Sequence, residues 1–229
     1  MFRYEKKLQY PVNIKNPNPA LAKFIISQYG GPDGELGASL RYLSQRYSMP
    51  YPELRGLLTD IGVEELGHME LVATIVHQLT RNMTVEEIKR AGLEPYFVDH
   101  TAGVYTQFAS GTPWNAATFA VKGDVIADLT EDLAAEQKAR VTYDNILRLS
   151  DDPDVNNVIR FLREREVIHF QRFGEAKREL SSKIFHSISL QWLVRSVCNQ
   201  VTVCLENQRC VTVRFSKQYQ YFHPLCELF

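Results

Sequence analysis

The sequence lacks the features of several broad classes of protein. No run approaches the ~18–20 apolar residues that a membrane-spanning helix requires, although 45% of the residues are hydrophobic. Residues 1–7 are rich in charge and lack the apolar segment of a secretory signal, so the cytoplasm is the expected compartment. The 26 Lys and Arg residues nearly balance the 27 Asp and Glu residues. The sequence therefore lacks the excess of basic residues that is typical of nucleic-acid-binding proteins. We therefore expect neither a membrane nor a nucleic-acid partner.

Cysteine is absent from residues 1–180, and all four cysteines lie in residues 181–229. This tail carries five basic and two acidic residues, whereas residues 1–180 carry 21 basic and 25 acidic residues. Without an export signal a disulfide framework is not expected, and the cysteine spacing matches no zinc-binding pattern. This change in cysteine content and charge at residue 181 predicts a domain over residues 1–180 and an atypical, irregular or strand-like tail over residues 181–229. A disordered segment or a changed reading frame would account for such a tail.

Residues 1–180 have the pattern of a helical protein. Periodicity, caps and prolines predict helices over residues 19–29, 33–47, 53–79, 124–149 and 153–180, with one short helix opened by Thr84-x-x-Glu87 inside the stretch 81–121. The last four long segments form two pairs with short loops, and a single long crossover joins the pairs. The predicted fold class is therefore all-α, a ferritin-like four-helix bundle with one long crossover.

Polar residues interrupt the apolar stripes by which these helices face the core. The stripe of segment 53–79 contains Leu54, Leu58, Ile61, Glu65, His68, Val72, Ile75 and Leu79. The stripe of segment 153–180 contains Val155, Ile159, Leu162, Glu166, His169, Phe173, Ala176 and Leu180. Segment 124–149 contributes Ile126, Leu129, Leu133, Glu136 and Tyr143, and segment 33–47 contributes Glu35 and Tyr42.

Each of the four helices thus places a Glu in the core, and two of them add a His three residues later on the same face. A buried carboxylate must be neutralised, paired or bound to metal. One Glu from each of two helices and Glu-x-x-His from the other two is the pattern of di-iron and di-manganese proteins, and it suits Mn or Fe better than Cu. The alternative for a single motif is an ordinary surface pair, in which Arg163 and Arg165 neutralise Glu166. Glu64 is interpreted as a surface acid.

Four stretches resemble the manganese catalases, in particular their short spore-coat branch. They are GGPDGEL around Glu35, LLTDIGVEELGHME around Glu65 and His68, DLTEDLAAEQKAR around Glu136, and FLREREVIHFQRF around His169. The resemblance implies that Glu35, Glu65, His68, Glu136 and His169 bind two manganese ions, with Glu65 as the bridge. It also implies that Glu166 is an outer carboxylate that moves protons and that Tyr42 hydrogen-bonds within the site. The implied reaction is disproportionation of hydrogen peroxide to water and oxygen.

This chain departs from the family at two points. Members of the family keep a cationic side chain near the site, at positions that are Ala135 and Tyr143 here. The tail does not resemble the extension that supplies calcium ligands in longer members, so calcium is not expected, although Asp60 lies where one such ligand would be.

The resemblance also implies a homo-oligomer, often a hexamer, that associates with other spore-coat proteins, so the spore coat is the second expected location. Two alternative functions stay open. One is a structural spore-coat protein with a retained metal site, and the other is a ferritin-like iron oxidase with iron as its metal.

Overall fold

Four long helices form the scaffold of the protein. The structure, a computed structural model, describes residues 4–197, 200–204 and 210–214. The helices are α1 (Pro19–Ile25), α2 (Ser27–Gly30), α3 (Glu35–Gln45), α4 (Pro52–Thr80), α5 (Val85–Ala91), α6 (Glu94–His100), α7 (Val125–Leu149) and α8 (Pro153–Val197). Short 3₁₀ turns cover Arg46–Ser48 and Ala116–Thr118, and the strands are β1 (Gln200–Cys204) and β2 (Cys210–Arg214). The predicted helical bundle with one long crossover is confirmed.

Local signals explain where the helices begin. The Asp124 carboxylate accepts a hydrogen bond from the Ala127 amide at the start of α7, and Pro153 opens α8, where its missing N–H is not needed. In the crossover, Thr84 and Glu87 form the predicted capping box of α5. These caps satisfy amides that would otherwise lack partners at the helix ends.

The core lies between the long helices. One continuous apolar cluster includes Leu71, Ile75 and Leu79 of α4 together with Ile159 and Leu162 of α8, all fully buried. Burial of aliphatic side chains of this size contributes about 1.5–3 kcal/mol each, so this cluster supplies much of the free energy that holds the bundle together. It packs beside the polar residues described below.

The structure corrects three expectations. The first predicted helix is divided into α1 and α2, and the crossover contains a further helix, α6. The tail is not irregular throughout, because α8 continues from residue 181 to Val197. Residues 181–197 contain no Gly or Pro, so nothing in the local sequence stops the helix.

The chain divides into two units, Met1–Arg178 and Glu179–Phe229. In the second unit, β1 and β2 pair in antiparallel register with Thr202 opposite Thr212, which confirms the strand-like pattern there. The tail positions 198–199, 205–209 and 215–229 lie outside the described residues. The domain boundary at residue 180 and the changed reading frame stay predictions, since contacts alone test neither independent folding nor gene structure.

No helix in the described part of the chain is long and apolar enough to cross a membrane.

Candidate metal centre

Six predicted residues meet in the middle of the bundle, where each has at most 2% of its surface exposed. They are Glu35 on α3, Glu65 and His68 on α4, Glu136 on α7, and Glu166 and His169 on α8. Four of them, Glu65, His68, Glu166 and His169, offer ligand atoms that all lie within 4.8 Å of one another. The helical stripes of the sequence therefore converge on one polar cluster.

Glu65 lies at the centre of this cluster, between the two histidines. Its Oε2 is 2.6 Å from His68 Nδ1, and its Oε1 is 2.8 Å from His169 Nδ1. The two imidazole rings are stacked, with centroids 5.5 Å apart and an interplanar angle of 21°. One carboxylate thus presents a separate oxygen to each histidine.

Two further carboxylates, Glu35 and Glu136, complete a pair of half-sites. Glu35 Oε2 lies 3.8 Å from His68 Nδ1, and Glu136 Oε2 lies 3.6 Å from His169 Nδ1. Each Nδ1 atom therefore has a carboxylate of its own and a share in Glu65. Glu166 Oε1 is 3.9 Å from His68 Nδ1, close enough for a ligand, so its outer position stays a prediction.

Two buried tyrosines hold Glu35 and Glu136 by hydrogen bonds that cross between α3 and α7. Tyr42 on α3 donates a hydrogen bond to Glu136 on α7, and Tyr143 on α7 donates one to Glu35 on α3. Burial and the charge of the accepting carboxylate raise the pKa of each hydroxyl well above its ordinary value, so both remain donors. The sequence indicated a partner within the site for Tyr42. It placed Tyr143 in the core stripe and at the position of a missing cation, but indicated no partner for its hydroxyl.

Glu64 is not the surface acid that the sequence indicated. Its carboxylate lies 3.5 Å from His68 Nε2 and 3.2 Å from His169 Nε2, on the side of each ring opposite Glu65. Arg165 holds the same carboxylate through Nε at 2.6 Å and Nη2 at 3.1 Å, and Gln9 donates to it at 2.9 Å.

These donors control the charge of Glu64. Burial alone would raise the pKa of Glu64, but His169, His68 and Arg165 outweigh burial and hold this pKa well below its ordinary value. A carboxylate on the outer ring nitrogen is the usual way that a ligating histidine is oriented.

The structure does not support the alternative in which Arg163 and Arg165 neutralise Glu166. Arg163 pairs with Asp144 at 2.5 Å, and Arg165 pairs with Glu64. Asp60, the residue aligned with a calcium ligand, pairs with Arg172 at 2.6 Å. The two arginines that could have neutralised Glu166 at the surface therefore pair with other carboxylates.

The donor set fits a pair of hard divalent ions. Four inward atoms, Glu65 Oε1, Glu136 Oε2, Glu166 Oε1 and His169 Nδ1, have no hydrogen-bond partner among the described residues. Ligands at about 2.1 Å from an octahedral ion lie about 3 Å apart, close to the 2.6 and 2.8 Å from Glu65 to the histidines. Carboxylate and imidazole donors in this ratio suit manganese or iron.

Without metal the cluster holds protons in place of cations. Burial, and then the charge of Glu65, raises the pKa of Glu35, and burial with the charge of Glu35 raises that of Glu166. Burial would lower the pKa of His68 and His169, but the charge of Glu65 outweighs burial and raises them to about 10 and about 12. At neutral pH both imidazoles are therefore protonated in the metal-free protein, and the raised pKa values of Glu35 and Glu166 favour the protonated form of each carboxyl.

We expect manganese uptake to release protons, because carboxylates and Nδ1 atoms must be deprotonated to bind metal. Manganese affinity is expected to rise with pH as His68 loses its proton. Above neutral pH the stability of the metal-free protein changes in the opposite direction. The folded pKa values of His68 and His169 are raised to about 10 and about 12, so their stabilising contributions are complete in acid and are lost as the pH rises through these values. Against the opposing effect of burial, the two histidines lower the pKa of Glu65, so the contribution of Glu65 is lost instead as the pH falls below the ordinary range of a carboxyl. Titration calorimetry in buffers of different ionisation enthalpy measures the protons, and uptake without proton release would contradict this expectation.

The chain is similar to several known proteins. Residues 1–190 match the sequence profile of the manganese containing catalases. The chain is 54% identical over 176 residues to Protein CotJC of Bacillus subtilis (strain 168), which covers 77% of this chain and 93% of that protein. It is 37% identical over 200 residues to a probable manganese catalase of Clostridium acetobutylicum, with 81% and 85% covered.

Among solved structures, wild-type KatB, a manganese catalase from Anabaena, is similar with a TM-score of 0.74 and 32% identity, covering 79% of this chain and 81% of that one. The match to the family profile, over residues 1–190, includes all six residues of the buried cluster. The chain therefore belongs to the manganese-containing catalase family, in a branch similar to CotJC.

Proposed function

We propose that the protein is a dinuclear manganese catalase that converts two molecules of hydrogen peroxide into two of water and one of oxygen. The observation that carries the proposal is the pair of half-sites that share Glu65. Each half-site offers one Nδ1 and one further carboxylate, so the cluster can hold two adjacent ions in similar environments. Iron is the alternative metal for the same donors.

The chemistry supplied by a bound pair of manganese ions is storage of two electrons, one at each ion, between successive peroxide molecules. The residues of the chain do the rest. The ions would be held by Glu35, Glu65, His68, Glu136 and His169. Tyr42 and Tyr143 fix two of these carboxylates, Glu136 and Glu35, through hydrogen bonds. Burial of the whole cluster excludes bulk water, which keeps the hydrogen bonds of the site strong.

Glu166 would carry protons in this reaction. Its carboxyl belongs to the buried cluster and also lines a small cavity, whose other walls include Gly34, Ala38 of α3 and Ala139 of α7. A proton held on this carboxyl can be passed to an oxygen of peroxide and taken up again without leaving the site. The position of Glu166 between the cavity and His68 supports this role.

Oxygen evolution from hydrogen peroxide by the manganese-loaded protein tests the proposed function. We expect evolution that is lost in the Glu65→Ala/His68→Ala variant, because both half-sites lose Glu65 and one loses its histidine. The matched control is Glu70→Ala/His77→Ala, which removes the same residue types from the same helix away from the cluster and should retain activity.

The alternative functions predict other results in the same experiment. A protein that binds two manganese ions and evolves no oxygen would be a structural protein whose site serves stability. Preferential iron loading with oxygen consumption would indicate a ferritin-like iron oxidase. Either result would contradict the proposed catalase.

We also propose a homo-oligomer, hexameric in the family pattern, that is located in the spore coat with other coat proteins. The similarity to CotJC over 93% of that protein supports the same branch. Light scattering of the full chain measures the oligomer, and a monomer would contradict it.

A further inference from the structure

Two cysteines occupy opposed positions in the hairpin of the second unit. β1 ends at Cys204 and β2 begins at Cys210, and the antiparallel register pairs these two positions directly. Directly opposed residues of an antiparallel pair have Cα atoms about 4.5 or 5.5 Å apart and share one face of the sheet. A disulfide joins residues whose Cα atoms are about 4.4–6.8 Å apart. The backbone therefore places Cys204 and Cys210 within the range of a disulfide.

The register of the hairpin distinguishes this pair from the other two cysteines. The pairing runs without a break from Gln200 opposite Arg214 to Cys204 opposite Cys210. Five residues separate the two cysteines in the chain, so the chain entropy lost when a bond closes this short ring is small. The other cysteines, at positions 198 and 226, lie outside β1 and β2, so this register gives neither of them a partner position.

A link between these positions would be a reversible product of oxidation and not part of a permanent disulfide framework. In reducing compartments most disulfides are transient, because exchange with other thiols removes them after an oxidant has formed them. The tail carries five basic and two acidic residues. Positive charge near a thiol favours the thiolate, which is the form that attacks an oxidant.

We propose that hydrogen peroxide oxidises Cys204 and Cys210 to a disulfide that links β1 to β2. One thiolate attacks an oxygen of peroxide and the O–O bond breaks, which leaves a sulfenic acid on the cysteine and a hydroxide that takes up a proton as water. The second thiolate attacks the sulfenic sulfur, the S–O bond breaks, and a second water leaves. The two thiols lose two electrons and two protons in total, and one peroxide becomes two waters. The reaction needs no metal, so it is independent of the proposed catalase activity.

The link would fix a hairpin that has little else to hold its register. The sheet formed by β1 and β2 has two strands in the described part of the chain, and a two-stranded hairpin by itself is at best marginally stable in water. A slip of one residue would move every position of a strand to the other face. A bond between Cys204 and Cys210 selects the register in which Thr202 lies opposite Thr212. Oxidation by peroxide would thereby stabilise the hairpin.

Peptide mapping of the full-length, metal-free protein tests the proposal, because without manganese the added peroxide is not consumed by turnover. Trypsin cuts after arginine, so Cys204 and Cys210 fall in separate peptides, residues 196–209 and 210–214. After incubation with hydrogen peroxide we expect these two peptides to be joined, and to separate again on treatment with dithiothreitol. Peptides that stay separate after peroxide treatment of the folded protein would overturn the proposal.

Serine variants identify the reacting cysteine of peptide 196–209, which also contains Cys198. Cys204→Ser is expected to abolish the link, whereas the matched controls Cys198→Ser and Cys226→Ser should retain it. A link that persists in Cys204→Ser and is lost in Cys198→Ser would contradict the pairing.

Unfolding in urea shows whether the hairpin directs the reaction. In the native protein we expect the link from Cys210 to Cys204 to exceed the link from Cys210 to Cys198, and urea should reduce this preference by about tenfold. The reason is that partners held opposite each other react faster than partners on a flexible chain. An identical mixture of links with and without urea would mean that the hairpin plays no part, which would also overturn the proposal.

Discussion

Replacement of Glu64 by alanine is expected to lower manganese affinity at both metal positions, by about 10- to 100-fold for each ion. The reason is that one carboxylate faces the outer nitrogen of both histidines, at 3.5 Å from His68 and 3.2 Å from His169. Without it both imidazoles lose the carboxylate that faces their outer nitrogen and favours one orientation of each ring. Arg165, which pairs with Glu64, would also lose its partner.

A conservative variant separates orientation from simple loss of structure. Glu64→Gln keeps the size of the side chain and one carbonyl acceptor, so its manganese affinity should lie between those of the wild type and Glu64→Ala. Glu70→Ala is the matched control, because Glu70 lies on the same helix and contacts Tyr4 rather than a histidine. Its affinity should equal that of the wild type.

Competition with a chelator at fixed pH, followed by metal analysis, measures the effect, and circular dichroism confirms that each variant is folded. A Glu64→Ala protein that retains both ions with wild-type affinity would restore the interpretation of Glu64 as a surface acid. A loss confined to one ion would show that only one histidine depends on it.

The sequence was sufficient to predict the residues of α4 and α8 that face the core. Apolar side chains at helical spacing define that face, and Glu65 and His68 stand out on it because they are polar. Caps such as Asp124 and Pro153 are equally local, so the helix starts were predictable. Local patterns of this kind need no knowledge of the neighbouring helix.

Glu64 could not be found by the same reasoning. It lies beside the apolar stripe of α4, where a charged residue normally faces solvent, and its burial depends on Arg165 of α8 and Gln9 of the N-terminal segment. A weak signal was present. The residues that precede the two Glu-x-x-His motifs, Glu64 and Arg165, have opposite charges, as expected for a pair between helices.

The buried face of α7 was also predicted incompletely. Leu133 was assigned to the core stripe, but the structure buries Asp128 and Asp132 instead and leaves Leu133 partly exposed. Asp128 accepts hydrogen bonds from the amides of Lys122 and Gly123 at the end of the crossover. A hydrophobicity pattern cannot predict the burial of Asp128, because the partners of this carboxylate are amides of a loop and not side chains of another apolar stripe.

Substitution of Gly30 by alanine is expected to destabilise the metal-free protein by about 3 kcal/mol or more, at the upper end of the cost of overpacking. A Cβ atom at position 30 would lie 2.5 Å from the Gln107 amide nitrogen and 2.5 Å from the Thr106 carbonyl carbon. These are backbone atoms of the crossover and cannot rotate away. The close approach also fixes the end of α2, just before α3 begins with Glu35.

Gly56→Ala is the matched control for this substitution, since Gly56 lies in α4 and a Cβ there would meet nothing within 4 Å. Alanine is the better helix former by about 1 kcal/mol, so this variant should be slightly more stable than the wild type. Urea unfolding of the metal-free variants measures both changes. Equal stability of the two variants would mean that the crossover can move away from Gly30 at little cost. A large loss in Gly30→Ala alone would show that this contact anchors the crossover to the helix that leads into the metal centre.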